Sequence, residues 1–227
     1  MSLIVSVRGL HYTFDDGTEA LRGVDFDLEA GQAIALLGPN GSGKTTFGLH
    51  LNGILKGKGT VVIDGLPVEE RNLRQIRQTV GVVFQDSENQ LFMPTVLEDV
   101  AFGLLAAGHS REAAESRARE ALAETGMLHK ENKAPWHLSA GEKRRTAIAG
   151  ILAMEPKLLV LDEPTTFLDP PGQRELVNLL ARLPQAKILI THDTAFARQL
   201  TDEAVFFQEG VIVARGPIAE VTAEYGW

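Results

Sequence analysis

Apolar positions along this chain switch repeatedly between two spacings. Short β-rich runs occur at 4–7, 24–28, 33–37, 61–63, 80–84, 158–161, 187–190, 204–207 and 211–214, and they read as strands. Apolar residues three and four apart predict helices at about 44–55, 95–107, 111–124, 140–154 and 172–183. Leu158–Leu161 and Ile188–Ile190 do not alternate, as suits central parallel strands covered on both faces. Glu29-Ala30-Gly31 and Gln208-Glu209-Gly210 separate paired runs and predict tight turns. The expected class is α/β: a core with a parallel sheet and an antiparallel β piece on the N-terminal side. From about 86 to 127 the pattern is mainly helical and predicts an inserted helical subdomain. The whole chain, 1–227, then reads as a single domain. Residues 1–85 and 155–227 would form its α/β core, and 86–154 its helical part.

Composition narrows this picture. The chain has 227 residues, enough for a sizeable core without staples. Its net charge of -8 leaves no basic footprint, so no nucleic-acid partner is expected. The lack of cysteine excludes disulfides and thiolate metal sites and fits a reducing cytosol. Met1–Val7 has neither the charged start nor the long apolar run of a signal peptide. The most apolar stretch, Ala147–Met154, is far shorter than the ~20 residues of a membrane helix. A soluble or peripheral subunit is expected.

The candidate chemistry starts at Gly38-Pro39-Asn40-Gly41-Ser42-Gly43-Lys44-Thr45, which fits G-x-x-x-x-G-K-[ST]. A predicted strand precedes it and an amphipathic helix follows, the context a phosphate-cradling loop requires. The glycines let backbone N–H groups turn inward, and the helix N-terminus adds partial positive charge. Lys44 supplies a charge between the outer phosphates of ATP, and the Thr45 hydroxyl is placed to ligate Mg²⁺.

Asp162 and Glu163 end an apolar strand. Beside a phosphate loop, Asp162 can hold the metal and Glu163 can act as general base toward an attacking water. Ser139, with Glu142 three residues later, makes a capping-box pattern. On the residues alone this is either a helix start or a helix N-terminus aimed at a phosphate. His192 and Gln85 each follow a predicted strand. His192 reads as a hydrogen-bonded loop residue or as a γ-phosphate contact, and Gln85 is placed to reach the metal or its water. Tyr12 reads as packing or as a platform for adenine.

Taken in order, these motifs resemble the ATPase subunits of ABC transporters over nearly the whole chain. The resemblance implies the ABC ATPase fold, a P-loop NTPase core with an inserted helical subdomain. It implies that Tyr12 stacks on adenine and that Gly38–Thr46, including Thr46, binds ATP. It makes Gln85 the Q-loop glutamine, Leu138-Ser139-Ala140-Gly141-Glu142 the signature, and Asp162 and Glu163 the end of Walker B. Asp169 is then the D-loop aspartate and His192 the switch histidine. The stretch 82–92 and its continuation 94–103 are similar to the A component of energy-coupling factor transporters, of the cobalt or vitamin uptake type. In that group an extra short helix follows the Q-loop at the membrane-subunit contact.

Two departures carry expectations. Ala140 stands where the signature usually has Gly, which implies slower or altered turnover, not loss. The sequence given ends at Trp227, where many members of this group carry a dimerising C-terminal extension, so stable dimerisation without ATP is not expected.

The resemblance further implies head-to-tail pairing with a second ATPase subunit, as a homodimer or with a sister ATPase. Each ATP would lie between one phosphate loop and the opposite signature. Integral membrane transporter subunits would dock on the Gln85–Ala107 region, placing the chain at the cytoplasmic face of the cell membrane. The alternatives are a soluble non-transport ABC ATPase and a P-loop small-molecule kinase. A long coiled coil, a second domain or an arginine-rich lid would mark those, and the sequence shows none of them.

Overall fold

The computed structural model describes residues 2–85 and 90–227. It divides into two compact units. The first comprises Met1–Val82, Lys157–Glu163 and Pro184–Trp227; the second comprises Val83–Pro156 and Pro164–Leu183.

The first unit opens on two long antiparallel strands, β1 (Leu3–Thr13) and β2 (Glu19–Glu29), and then β3 (Ala33–Leu37). Helix α1 (Lys44–Leu51), β4 (Lys58–Ile63), β5 (Leu66–Pro67), α2 (Leu73–Thr79) and β6 (Val80–Val83) follow. A four-stranded sheet has the order β2-β1-β4-β5. Later elements of this unit are β7 (Leu158–Asp162), β8 (Ala186–Ile190), α7 (Thr194–Ala197), β9 (Glu203–Gln208), β10 (Val211–Pro217) and α8 (Ile218–Tyr225).

The larger sheet has the order β10-β9-β3-β8-β7-β6. Strands β3, β7, β8 and β9 run parallel, and β10 returns antiparallel to β9. Every residue of β7 and β8 is buried, the apolar runs 158–161 and 188–190 as central parallel strands should be, and Asp162 and Lys187 with them. Phe47 on α1 packs between Phe26 and Phe207, with ring centroids 5.2 and 5.5 Å away. Gly48 lets α1 settle onto the sheet, since a Cβ there would stand 2.9 Å from Ile190 Cδ1. Trp227 lies edge-on to Phe206 at 5.5 Å.

The second unit holds α3 (Val96–Ala106), α4 (Arg111–Glu124), α5 (Ala140–Ala153) and α6 (Pro170–Arg182). Each begins on a side-chain cap: Thr95, Ser110, Ser139 and Asp169 accept from the first-turn N–H groups. Trp136, on the turn before α5, is 66% exposed.

Several boundaries differ from the pattern-based expectation. Helix α1 stops at Leu51 because the chain turns through Asn52 and Gly53, whose φ is +68°. Helix α6 starts two residues earlier than its apolar pattern, because Pro170 and Pro171 suit a first turn capped by Asp169. Helices α2 and α8 were not expected. The extra short helix expected after Gln85 falls on 86–89, outside the described residues.

Candidate active site

Strands β3, β8 and β7 are neighbours and parallel, so their C-terminal ends share one edge of the sheet. The chain leaves that edge through Gly38, Thr191 and Glu163 respectively. Ligands of open α/β sheets bind at this kind of edge.

The loop after β3 is held tightly. Gly38 has φ +131°, and a Cβ there would stand 2.1 Å from the Phe207 carbonyl oxygen. Gly43 has φ +105°, and a Cβ there would stand 2.5 Å from the Ala20 carbonyl oxygen. Only glycine fits either position. Lys44 is buried, and its ammonium donates to the Gly38 and Pro39 carbonyls at 2.6 and 2.9 Å. Burial lowers its pKa, opposed by the charges of Glu163 and Asp162. Helix α1 then starts at Lys44 with no side-chain cap and no acid in its first turn. Its first N–H groups thus keep their partial positive charge. Ser42 is buried and its Oγ has no partner, an orphan that a phosphate oxygen or metal-bound water would satisfy. Thr45, Pro39, Asn40 and Gly41 are exposed and Thr46 is half-buried. The phosphates of ATP, with a Mg²⁺ ion, fit this donor set.

Glu163 is buried and has φ +43°, an uncommon backbone for a non-glycine residue. Its N–H donates to the Ile190 carbonyl at 2.8 Å. Its Oε2 lies 2.9 Å from His192 Nδ1 and accepts from the Thr191 hydroxyl at 3.3 Å. Asp162, also buried, precedes it at the end of β7. The structure therefore joins Glu163 and His192 as a contact pair. It adds Thr191, a fully buried residue that no motif flagged. Its only sequence signal was its place before His192.

Tyr12 and Phe14 differ. The half-buried Tyr12 ring meets His50 and Phe14 edge-on, at 4.9 and 5.0 Å. His50 is buried and hydrogen-bonded through Nδ1 to the Thr46 carbonyl at 2.7 Å, and burial lowers its pKa. Phe14 is 40% exposed at the end of the β1–β2 hairpin, whose β2 side abuts Gly43. Nothing in the sequence pattern separated these two rings.

In the second unit, Ser139 and Glu142 form a complete capping box. Ser139 Oγ accepts from Glu142 N at 3.3 Å, and Ser139 N donates to the Glu142 carboxylate at 2.9 Å. That bond, then Lys130 at 3.0 Å, holds the Glu142 carboxyl below its ordinary range. A cavity of about 430 Å³ is lined by Ser139, Ala140, Gly141 and Glu142 together with Phe167 and Asp169. Leu138, just before this segment, is buried. Gly141 is open: a Cβ there would touch only Leu168, at 3.9 Å. Gln85 is exposed, and its main chain is held from α5. The buried Arg144 guanidinium donates to the Phe84 and Gln85 carbonyls at 2.6 and 2.7 Å.

Comparison with known proteins gives the same family from several directions. The family described as ABC transporter matches residues 21–166. A putative ABC transporter ATP-binding protein of Streptomyces avermitilis is 51% identical over 97% of this chain and 84% of its own. The energy-coupling factor transporter ATP-binding protein EcfA of Methanothermobacter thermautotrophicus is 46% identical over 96% of this chain and 72% of its own. Among solved structures, cbiO1 from Clostridium perfringens, part of the ABC transporter complex cbiONQ, superposes with a TM-score of 0.88. It is 38% identical, over 99% of this chain and 92% of that one. A dimeric ATP-binding cassette in a post-hydrolysis state, bound to ADP and Pi, gives 0.85 at 28% identity, over 94% and 98%. Among the described residues, no helix is long and apolar enough to cross a membrane. With its phosphate loop, its strand-end carboxylates and these relatives, the chain belongs to the ABC transporter family as an ATP-hydrolysing subunit, and within it resembles the energy-coupling factor A component.

Proposed function

We propose that this chain powers an importer of the energy-coupling factor class, carrying a metal ion or a vitamin, by hydrolysing Mg²⁺-ATP in a site shared with a second ATPase subunit. The observation that carries the catalytic part is the Glu163 carboxylate, held by Thr191 and His192 at the sheet edge from which the phosphate loop also departs.

In this reading Gly38–Thr46 wraps the phosphates with backbone N–H groups, and Lys44 leaves its carbonyl partners for the outer phosphate oxygens. Thr45 and Asp162 hold Mg²⁺, with Gln85 at the metal or its water. A Mg²⁺ ion held there would supply charge neutralisation at the phosphates. Glu163 accepts a proton from the attacking water as the γ-phosphate separates to give ADP and phosphate. Thr191 keeps the carboxylate aimed, and His192 contacts the γ-phosphate. Phe14 offers the larger free ring face to adenine, with Tyr12 bracing it against His50.

Leu138, Ser139, Ala140, Gly141 and Glu142 of the second subunit close over that ATP, with Asp169 beside them. The second subunit is another copy or a sister ATPase. Dimer closure and opening pass to integral membrane subunits through the Gln85–Ala107 region, at the cytoplasmic face of the membrane. Two relatives support this placement: EcfA is a subunit of an energy-coupling factor transporter, and cbiO1 is part of the cbiONQ complex.

Light scattering of the Glu163→Gln variant, with and without Mg²⁺-ATP, tests the shared site. ATP should convert monomer to dimer. A chain that binds nucleotide tightly yet stays monomeric sinks the homodimeric form of the reading. Phosphate release without an acceptor separates this activity from a kinase.

A further inference from the structure

The first unit holds a cavity that the nucleotide chemistry does not use. It has a volume of about 710 Å³ and is bordered by the end of α1, the turn that follows it and the residues just ahead of α2. None of its lining residues belongs to the phosphate loop or to the strand-end carboxylates. That volume suits one small organic molecule. Leu55, Val61, Val68 and Leu73 supply half-buried apolar walls. The charges of the lining balance: Lys56 and Arg71 are set against Glu69 and Glu70, and Arg71 Nη2 pairs with Glu69 at 3.0 Å.

The informative residue is His50, which borders the cavity from α1 and is 1% exposed. Its Nδ1 lies 2.7 Å from the Thr46 carbonyl oxygen. A carbonyl only accepts, so Nδ1 carries the hydrogen. Burial lowers the pKa of the ring and keeps it neutral at pH 7. Nε2 is therefore a bare lone pair, and among the described residues it has no partner. A buried acceptor without a donor costs free energy and calls for an explanation. Gly57 keeps the approach to this atom clear. A Cβ at Gly57, itself on the cavity wall, would stand 3.1 Å from Nε2 and closer still to the His11 carbonyl oxygen, so no side chain can cover it. Water would serve Nε2 but gain nothing from the apolar walls.

We propose that this cavity binds an uncharged, mainly apolar small molecule that donates one O–H or N–H to His50 Nε2. The walls take its apolar body, the balanced lining selects no charge, and the single acceptor fixes its orientation.

The test uses indole, which has one N–H donor, and 1-methylindole, which keeps the ring and lacks the donor. Each is titrated by calorimetry into the full chain saturated with ADP, so that the adenine site is already filled. NMR of the histidine ring nitrogens follows the same titrations, with His50 assigned through His50→Gln. Indole should bind about tenfold tighter than 1-methylindole, the scale of satisfying one buried acceptor, and should shift the His50 Nε2 resonance. Leu55→Trp, which fills the cavity from a half-buried position on the turn, should abolish binding of both. If 1-methylindole binds as tightly as indole, the cavity is an apolar recess with no donor subsite, and the proposal falls. Indole bound without a change at His50 Nε2, or bound equally well by Leu55→Trp, lies elsewhere and overturns it too. So does an absence of binding at millimolar concentration. The two probes and Leu55→Trp decide the matter even where His50→Gln does not fold, and no outcome bears on the shared nucleotide site.

Discussion

The loop Gly38–Thr45 and the segment Ser139–Glu142 both lead into a helix and both depend on glycine, but for opposite reasons. In the loop, Gly38 and Gly43 are needed because other backbone fills the space where a side chain would go. The helix behind them is left uncapped, and Lys44 spans the loop's own carbonyls. In the second segment the helix has a full capping box with an acid in its first turn, and a Cβ at Gly141 would meet only Leu168, at an ordinary contact distance of 3.9 Å. The first structure holds itself in a strained shape that suits an anion. The second is a stable helix start whose bare backbone leaves room for something to approach. A glycine forced by internal packing and one kept free for a visitor look alike in sequence, and only the neighbours tell them apart.

The strongest way to sharpen that contrast is chemical. Glu163→Gln should lower kcat about 10²- to 10⁴-fold with nucleotide affinity retained, read by phosphate release and by nucleotide titration. Full activity in that variant would remove Glu163 as the base.

The next effect breaks the comparison directly. Gly38→Ala must displace the Phe207 main chain and should cost about 3 kcal/mol or more, a Tm loss of roughly 6–12 °C. Gly141→Ala should leave Tm nearly unchanged while lowering the ATPase rate of the dimer. Equal losses of Tm at both positions would mean that the two glycines do the same job.

Thr191→Val removes one hydroxyl from Glu163 and should slow hydrolysis about tenfold, the scale of one hydrogen bond to a charged group. An unchanged kcat would mean that His192 alone orients the carboxylate. Ser139→Ala should cost about 1 kcal/mol through the lost cap of α5, measured by denaturant unfolding.

The smallest effect is in pH. The folded Glu142 carboxyl titrates below its ordinary value of 4.5. Its contribution is therefore fully present above that pH and is lost as pH falls through the folded value. In that window the unfolded chain binds more protons, so stability rises with pH. Glu142→Gln should flatten this acid limb of the stability curve.

Much of this was legible beforehand because local rules and tertiary needs agree. The runs at 158–161 and 187–190 suit buried parallel strands, and the loop at 38–45 carries its own geometry in its glycines. Helix α8 was missed because its apolar pattern is short; it is held by Ile218 and Val221 in the core and by Tyr225 stacked on Phe206 at 4.2 Å. Helix α2 buries only Ile76, too little to leave a period in the sequence. Thr191 was missed for another reason. It is defined by a carboxylate 28 positions away in the chain. That relation leaves no trace in spacing.

The two tryptophans fall one in each compact unit. Trp136 stands in solvent just ahead of Ser139, whereas Trp227 rests on Phe206 beside the parallel sheet. The protein is therefore its own pair of optical probes. Acrylamide should quench the red-shifted Trp136 emission first, so a nucleotide-dependent loss of quenching reports on the turn before α5. Trp227, 36% exposed and edge-on to Phe206, is the less accessible of the two and reports on its seat beside β9, and Trp136→Phe would isolate that second channel without adding any label.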